Sequence, residues 1–346
     1  MATVAYEELR DQIARALENA GLSKEDALTC AEVHAQSSAD GIESHGANRI
    51  PRFVSYVRKG WVDVHARPTL VARRGMAENY DGHMGIGVIG ALACADRAIE
   101  LAREHGMGLV TLRNATHWMR GGTYAWRMAE AGLLGICWTN TESCMPLWGS
   151  DEQSVGNNPF CIALPRKEGP VVLDMAMSQY SYGKLGALKL AGKRLPYPGG
   201  FDAEGNLTDD PGAIQACRRL LPMGYWKGSS MALALDMAAA LLAGGNCGSD
   251  LDPSKTGSGG GTSQVFLAFD PTLFATEEEG QAMLDRRVNA AHGAHPAEPG
   301  GRVTYPGERT LETRRRSVRE GVHVDDRVWE QIGTMAKGDL DVVDIA

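Results

Sequence analysis

The run from Ser44 to Arg52, S-H-G-A-N-R-I-P-R, places one imidazole and two guanidinium groups close together in the chain. Gly46 and Pro51 mark it as a loop running into a helix, because glycine tolerates unusual backbone angles and proline suits a first helical turn. A histidine exchanges protons near neutral pH, and an arginine grips a carboxylate through two parallel hydrogen bonds. Such a loop carries the minimum equipment for chemistry on a small organic acid. The competing reading is a solvated surface loop.

Two other stretches add to the first reading. R-N-A-T-H-W-M-R-G-G, residues 113–122, directly follows the apolar run 108–112, and strand ends are where α/β proteins place ligands. His117 is therefore either a pocket residue or a polar core position. In M-G-Y-W-K-G, residues 223–228, the Lys227 ammonium and the Trp226 indole stand at a glycine-flanked helix start. That suits an anion or a flat ring, with a plain helix start and a packed Trp as the alternative.

Two motifs are set aside. G-I-G-V-I-G, residues 85–90, has the glycine spacing of a Rossmann fingerprint, which needs a buried strand just before it and an acid closing the next strand. Here the preceding A-E-N-Y-D-G-H-M reads as polar and turn-like, and Glu104 falls within a helical run. Glycines that let a helix pack closely are the simpler expectation. His292 and His295 are spaced like some metal ligands, but Gly293 and Pro296 predict an irregular surface loop with no third ligand nearby, so no metal is expected.

The elements that must position these groups fall into two textures. Leu9, Ile13, Ala16 and Leu17 recur at helical spacing, S-K-E-D at 23–26 resembles a capping box for a helix running toward Ser38, and Pro51 opens a third helix that Gly60 ends. The first seventy residues read as helical. Beyond about residue 85, helical segments alternate with apolar runs at 108–112, 133–139, 159–164, 171–175 and 264–269, an α/β pattern around a buried sheet. M-A-L-A-L-D-M-A-A-A-L-L, residues 231–242, is apolar almost all round and is expected to lie buried against that sheet. G-S-G-G-G at 257–261 predicts a flexible loop. Charged helices return after residue 275: Arg314, Arg315, Arg316 and Arg319 read as a solvated face, and Asp325 or Asp326 caps the last helix. The expected fold is thus an α/β unit over residues 76–284 with a helical domain formed by both chain ends, 1–75 with 285–346.

Composition limits the function classes. A chain of 346 residues exceeds what one core usually supports, and its 43% apolar and 23% charged content is that of a soluble globular protein. The net charge of -8 lacks the basic stripe of nucleic-acid binders. No run is long enough to span a bilayer, so the expectation is a cytoplasmic protein without a membrane partner. The seven cysteines never occur as C-x-x-C and read as reduced core thiols.

Taken together, S-H-G at 44–46 with Arg49, the 113–122 run, G-N-N-P at 156–159, V-L-D-M-A-M-S at 172–178, L-P-M-G-Y-W-K-G-S at 221–229 and P-G-E at 306–308 resemble the type-2 malate/L-lactate dehydrogenase family across essentially the whole chain. The resemblance implies a homodimer that binds NAD(H) or NADP(H) on a non-Rossmann mixed α/β sheet. It implies that His45 is the proton donor. It further implies cofactor contacts along Val171, Val172, Leu173, Asp174, Met175 and Ala176, at Trp226 and Lys227, and at Gly307, Glu308 and Arg309. The expected reaction is hydride transfer to the C2 ketone of a 2-oxo sugar acid, with malate, L-lactate, ureidoglycolate or cyclic-imine chemistry as family alternatives. Arg49 would hold the substrate carboxylate, with Arg52 as second choice, and His117 would line the pocket. Asp174 would orient His45 or touch the cofactor, unless it is a buried structural acid. A sugar-acid or nucleotide binding protein without catalysis is the rival from another class, though binding alone needs no proton donor.

Overall fold

The apolar runs pair into one mixed sheet of seven strands. The computed structural model describes residues 2–252 and 259–341. In spatial order the strands are Thr69–Arg74, Ala77–Asp81, Met107–Ala115, Thr262–Phe269, Leu134–Thr139, Phe160–Leu164 and Val171–Met175. Ala77–Asp81 runs parallel to Met107–Ala115, and every other neighbouring pair is antiparallel. The central strand Thr262–Phe269 is covered on both faces, so alternate side chains enter different cores. Phe266 packs with Tyr124 and Trp118 beneath the helices Gly87–His105 and Gly121–Glu130. Its neighbour Val265 joins Leu235 and Ala239 of the helix Trp226–Ala243.

Both chain ends join in a third core cluster, which Ile86, Val88 and Met119 also enter. Ala2–Val4 pairs antiparallel with Val322–Val324, and Leu9, Ile13 and Leu17 of the helix Tyr6–Asn19 pack in the same cluster as Ile332 and Met335 of the helix Asp326–Ala336. Ser23 caps the helix Lys24–Ala39 by accepting from the Asp26 amide, and Asp325 caps the last helix through the amides of Arg327 and Val328. Between these units, the helices Glu277–His292 and Glu308–Glu320 bridge back: Asp285 binds Arg166, and Leu311 packs on the core that contains Phe266.

The structure corrects several sequence expectations. The third helix is Ile50–Arg58, and Thr69–Arg74 is an edge strand, exposed along its whole length, within the stretch expected to be helical. A-E-N-Y-D, read as turn-like, is the strand Ala77–Asp81; Glu78 and Asp81 are drawn into ion pairs with Arg97 and Arg113. The 85–90 glycines therefore do follow a strand and open a helix, yet the parallel strand beyond ends in Arg113-Asn114-Ala115 and lacks the acid. Gly87 serves packing: a Cβ there would lie 2.3 Å from the His117 carbonyl oxygen. The helix Trp226–Ala243 is buried on one side only, with Met237 56% and Leu241 83% exposed. Arg314 is half-buried rather than solvated, lying 4.5 Å over the Trp126 ring. Gly257 and Ser258 lie outside the described residues, and Gly259–Gly261 form a buried turn, not an open loop.

The described cysteines are all free thiols, Cys30, Cys94, Cys137 and Cys161 buried. Among the described residues no helix is long and apolar enough to cross a membrane, and no cluster of three or more His, Cys, Asp or Glu could hold a metal ion.

Candidate active site

The S-H-G loop follows the helix Lys24–Ala39 and is pinned to it. Ser38 Oγ accepts from the Ala47 amide at 2.8 Å, and His34 Nδ1 donates to the Gly46 carbonyl at 3.1 Å. His45 is thereby held half-buried, its Nδ1 2.8 Å from Ser44 Oγ, which leaves Nε2 for a ligand. Facing it is His117, delivered from the other unit by the turn after Met107–Ala115; the ring centroids are 5.8 Å apart and the planes 28° from parallel. The Met119 amide donates to His117 Nδ1 at 2.9 Å, so the neutral ring carries its proton on Nε2. Arg49, in the short turn Ala47–Arg49, lines one small cavity together with His117.

Electrostatics make this a place that wants an anion. Desolvation, and after it the charge of Arg49, pushes the His45 pKa down to about 4 against the opposing pull of Asp174. His117 is held well below its ordinary value by desolvation, then by Arg49, His45 and Arg52. His34 falls to about 4, again chiefly by burial. Three neutral imidazoles thus feel the charge of one guanidinium, a combination suited to an organic acid.

Asp174, at the end of the edge strand Val171–Met175, is fixed on both oxygens. Arg120 Nε donates to Oδ2 at 2.8 Å and the Cys161 thiol to Oδ1 at 3.2 Å. The same Arg120 pairs through Nη1 with Asp40, which also receives Arg314 at 2.7 and 3.0 Å. This chain of four charges joins the helical unit, the sheet edge and the helix Glu308–Glu320. The sequence reading assigned no role to Asp40 or Arg120. The signal available was the R-G-G after the histidine run, where an arginine follows a strand end.

The three segments expected to contact a cofactor meet along that edge strand. The Pro306 carbonyl accepts from the Val172 amide at 2.8 Å, and the Met223 amide donates to the Met177 carbonyl at 2.7 Å. Gly307 has φ +93°, and a Cβ there would come 3.0 Å from the Val172 nitrogen, so glycine lets the loop sit on the strand. Two helices begin here, at Trp226 and at Glu308, and neither N-terminus has a side-chain cap. The positive ends of the two helices, Lys227 and Arg309 suit the phosphates of a dinucleotide, and Trp226, 56% exposed, offers a flat face. His292 is tied into this region: its Nε2 lies 3.0 Å from Glu308 Oε1, and Glu308 Oε2 also accepts from the Tyr305 amide. The residues fit a nicotinamide dinucleotide.

Comparison with known proteins agrees with this geometry. Residues 4–333 match the model of the malate/L-lactate dehydrogenase family. A 2,3-diketo-L-gulonate reductase of Citrobacter koseri is 42% identical over 330 residues, covering 95% of this chain and 98% of the relative. Among solved structures, a delta1-piperideine-2-carboxylate reductase of Pseudomonas syringae pvar. tomato is 29% identical with a TM-score of 0.86, covering 97% of this chain and 100% of that one. A sulfolactate dehydrogenase of Methanocaldococcus jannaschii is 26% identical with a TM-score of 0.88, covering 97% of each chain. With residues 4–333 matched by one family model, the chain belongs to the malate/L-lactate dehydrogenase family.

Proposed function

We propose that this protein reduces the C2 ketone of a 2-oxo sugar acid, 2,3-diketo-L-gulonate to 3-dehydro-L-gulonate, using NADH or NADPH. The observation that carries the reading is the pair of facing imidazoles, His45 and His117, the second of which lines a cavity together with Arg49. When bound, the reduced nicotinamide supplies the hydride that adds to C2. Arg49 holds the substrate carboxylate in a fork. His45 delivers a proton to the developing alkoxide, a role typically worth ~100 to 10,000-fold in rate. His117 offers its Nε2 hydrogen to the same oxygen. Because Arg49 depresses the basicity of His45, pairing Arg49 with the substrate anion relieves that repulsion and lets His45 take up the proton it must give. Asp174, held ready by Arg120, favours the same protonation.

The cofactor is assigned to the edge strand from Val171 to Ala176, to Trp226 and Lys227, and to Gly307, Glu308 and Arg309. The substrate lies between a helical domain, residues 1–75 with 285–346, and an α/β domain, residues 76–284. The protein acts in the cytoplasm as a homodimer, whose partner covers the apolar face left open by Met231, Leu233, Met237, Leu241 and Leu242. The test is NADH and NADPH oxidation by the purified protein with 2,3-diketo-L-gulonate, malate- and lactate-type acids, ureidoglycolate-type acids and cyclic imines. Turnover is expected with the sugar acid. His45→Ala should lose on the order of 100-fold or more in kcat with dinucleotide binding nearly intact, and normal turnover in that variant excludes His45 as the donor.

A further inference from the structure

His117 is held along two edges of its ring. The Met119 amide donates to Nδ1, and against the other edge lies the backbone of Gly259, where a Cβ would come 2.9 Å from His117 Cβ and 3.0 Å from its Cδ2. Gly259 also has φ +79°, so glycine is needed there both for the backbone angle and for the contact. The turn Gly259–Gly261 is buried, and Gly260 lines the same cavity as Arg49 and His117. Whatever fastens this turn therefore fixes one edge of the imidazole.

At Gly261 the turn is held by its amide, which donates to the Ala115 carbonyl at 2.8 Å, and by its carbonyl, which accepts from Asn246 Nδ2 at 3.0 Å. At Gly259 the fastening is a side chain: Glu142 Oε2 accepts from the Gly259 amide at 3.1 Å. Glu142 is itself presented from a fixed segment. The Thr141 amide before it donates to Asn158 Oδ1 at 2.9 Å, and the Ser143 amide after it donates to Asp252 Oδ1 at 2.7 Å. We propose that Glu142 is a positioning residue: by holding the Gly259 amide it keeps the turn against His117, and so keeps the Nε2 hydrogen of that ring aimed at the substrate oxygen. Its effect on rate rests on the reductase reading above, whereas the hold on the ring does not. Without the carboxylate, a turn of three glycines regains wide backbone freedom and the ring loses its backing. A small misplacement of a group that acts on the reacting oxygen costs rate rather than cofactor affinity.

The test uses the full-length protein. Glu142→Ala should lower kcat for 2,3-diketo-L-gulonate on the order of tenfold while leaving the Kd for NADH unchanged. Glu142→Gln keeps an acceptor oxygen and should recover most of that loss. Gly259→Ala disturbs the same contact from the other partner and should also lower kcat. In a His117→Asn background, Glu142→Ala should cost less than about twofold, because its effect passes through the imidazole. Independently of activity, protein carrying 13C-labelled histidine should show one sharp His117 Cε1–H signal by NMR. That signal should broaden or split in Glu142→Ala, with the other histidines unmoved. An unmoved His117 signal overturns the proposal whatever the activity. So does an unchanged kcat in both Glu142→Ala and Gly259→Ala, or an equal loss in the His117→Asn background, which would place the action of Glu142 elsewhere. A moved signal in a protein that reduces no 2-oxo acid upholds the hold on His117 and removes the reductase reading alone.

Discussion

His34, His45 and His117 stay neutral in the folded chain because burial strips their water and Arg49 adds repulsion. The unfolded chain protonates each near its ordinary value of 6.5, while folded His34 and His45 resist until about pH 4. Over that window the unfolded state binds more protons, so stability falls as pH falls, by up to ~1.4 kcal/mol per pH unit for each imidazole. His34→Asn keeps an amide donor for the Gly46 carbonyl and removes one titration. Urea unfolding followed from pH 6.5 to 4 should lose roughly a third of its pH slope in this variant. An unchanged slope would assign the acid limb to other groups. At this scale the sequence is readable where partners are near: His45 and Arg49 fall in one short loop. It is silent where they are remote. Arg120 meets Asp40 across 80 positions and Arg314 meets it across 274, and no local pattern marks either pair.

That ion network is what fastens the elements around the edge strand. Removing Arg120 would leave Asp174 without its cation and Asp40, only 1% exposed, with Arg314 as its remaining ion-pair partner. Breaking a buried pair from one side costs about 3–5 kcal/mol, so Arg120→Met should lose that much in urea unfolding. Arg314→Gln should lose less, about 1–2 kcal/mol, because Asp40 keeps Arg120. The reverse order would mean that Arg314, not Arg120, anchors the network. Element identity follows the same physics of burial. The central strands are legible because they are buried on both faces and read as continuous apolar runs such as Gln264 to Phe269. Thr69–Arg74 and Ala77–Asp81 are illegible because they carry charge. An exposed edge strand gains protection from its arginines, and Glu78 is tolerated inside through Arg97, Arg73 and the Tyr80 hydroxyl.

At the scale of the whole molecule, the helix Trp226–Ala243 separates what one chain satisfies from what it leaves open. Its all-round apolar character was visible in the sequence, but a buried helix and one covered by a second copy have the same composition. Met237→Glu combined with Leu241→Glu should convert the proposed dimer to monomer in sedimentation velocity, since two buried charges have no partner there. A dimer that persists places the interface elsewhere. The pairing of Ala2–Val4 with Val322–Val324 carries a different consequence, one for biosynthesis. The helix Tyr6–Asn19 leaves the ribosome with part of its apolar stripe uncovered and waits for the distant Ile332 and Met335 to shield it. The helix that pins the loop bearing His45 shares this core, so a nascent chain stalled short of the helix Asp326–Ala336 would hold a finished sheet beside a catalyst whose support is incomplete.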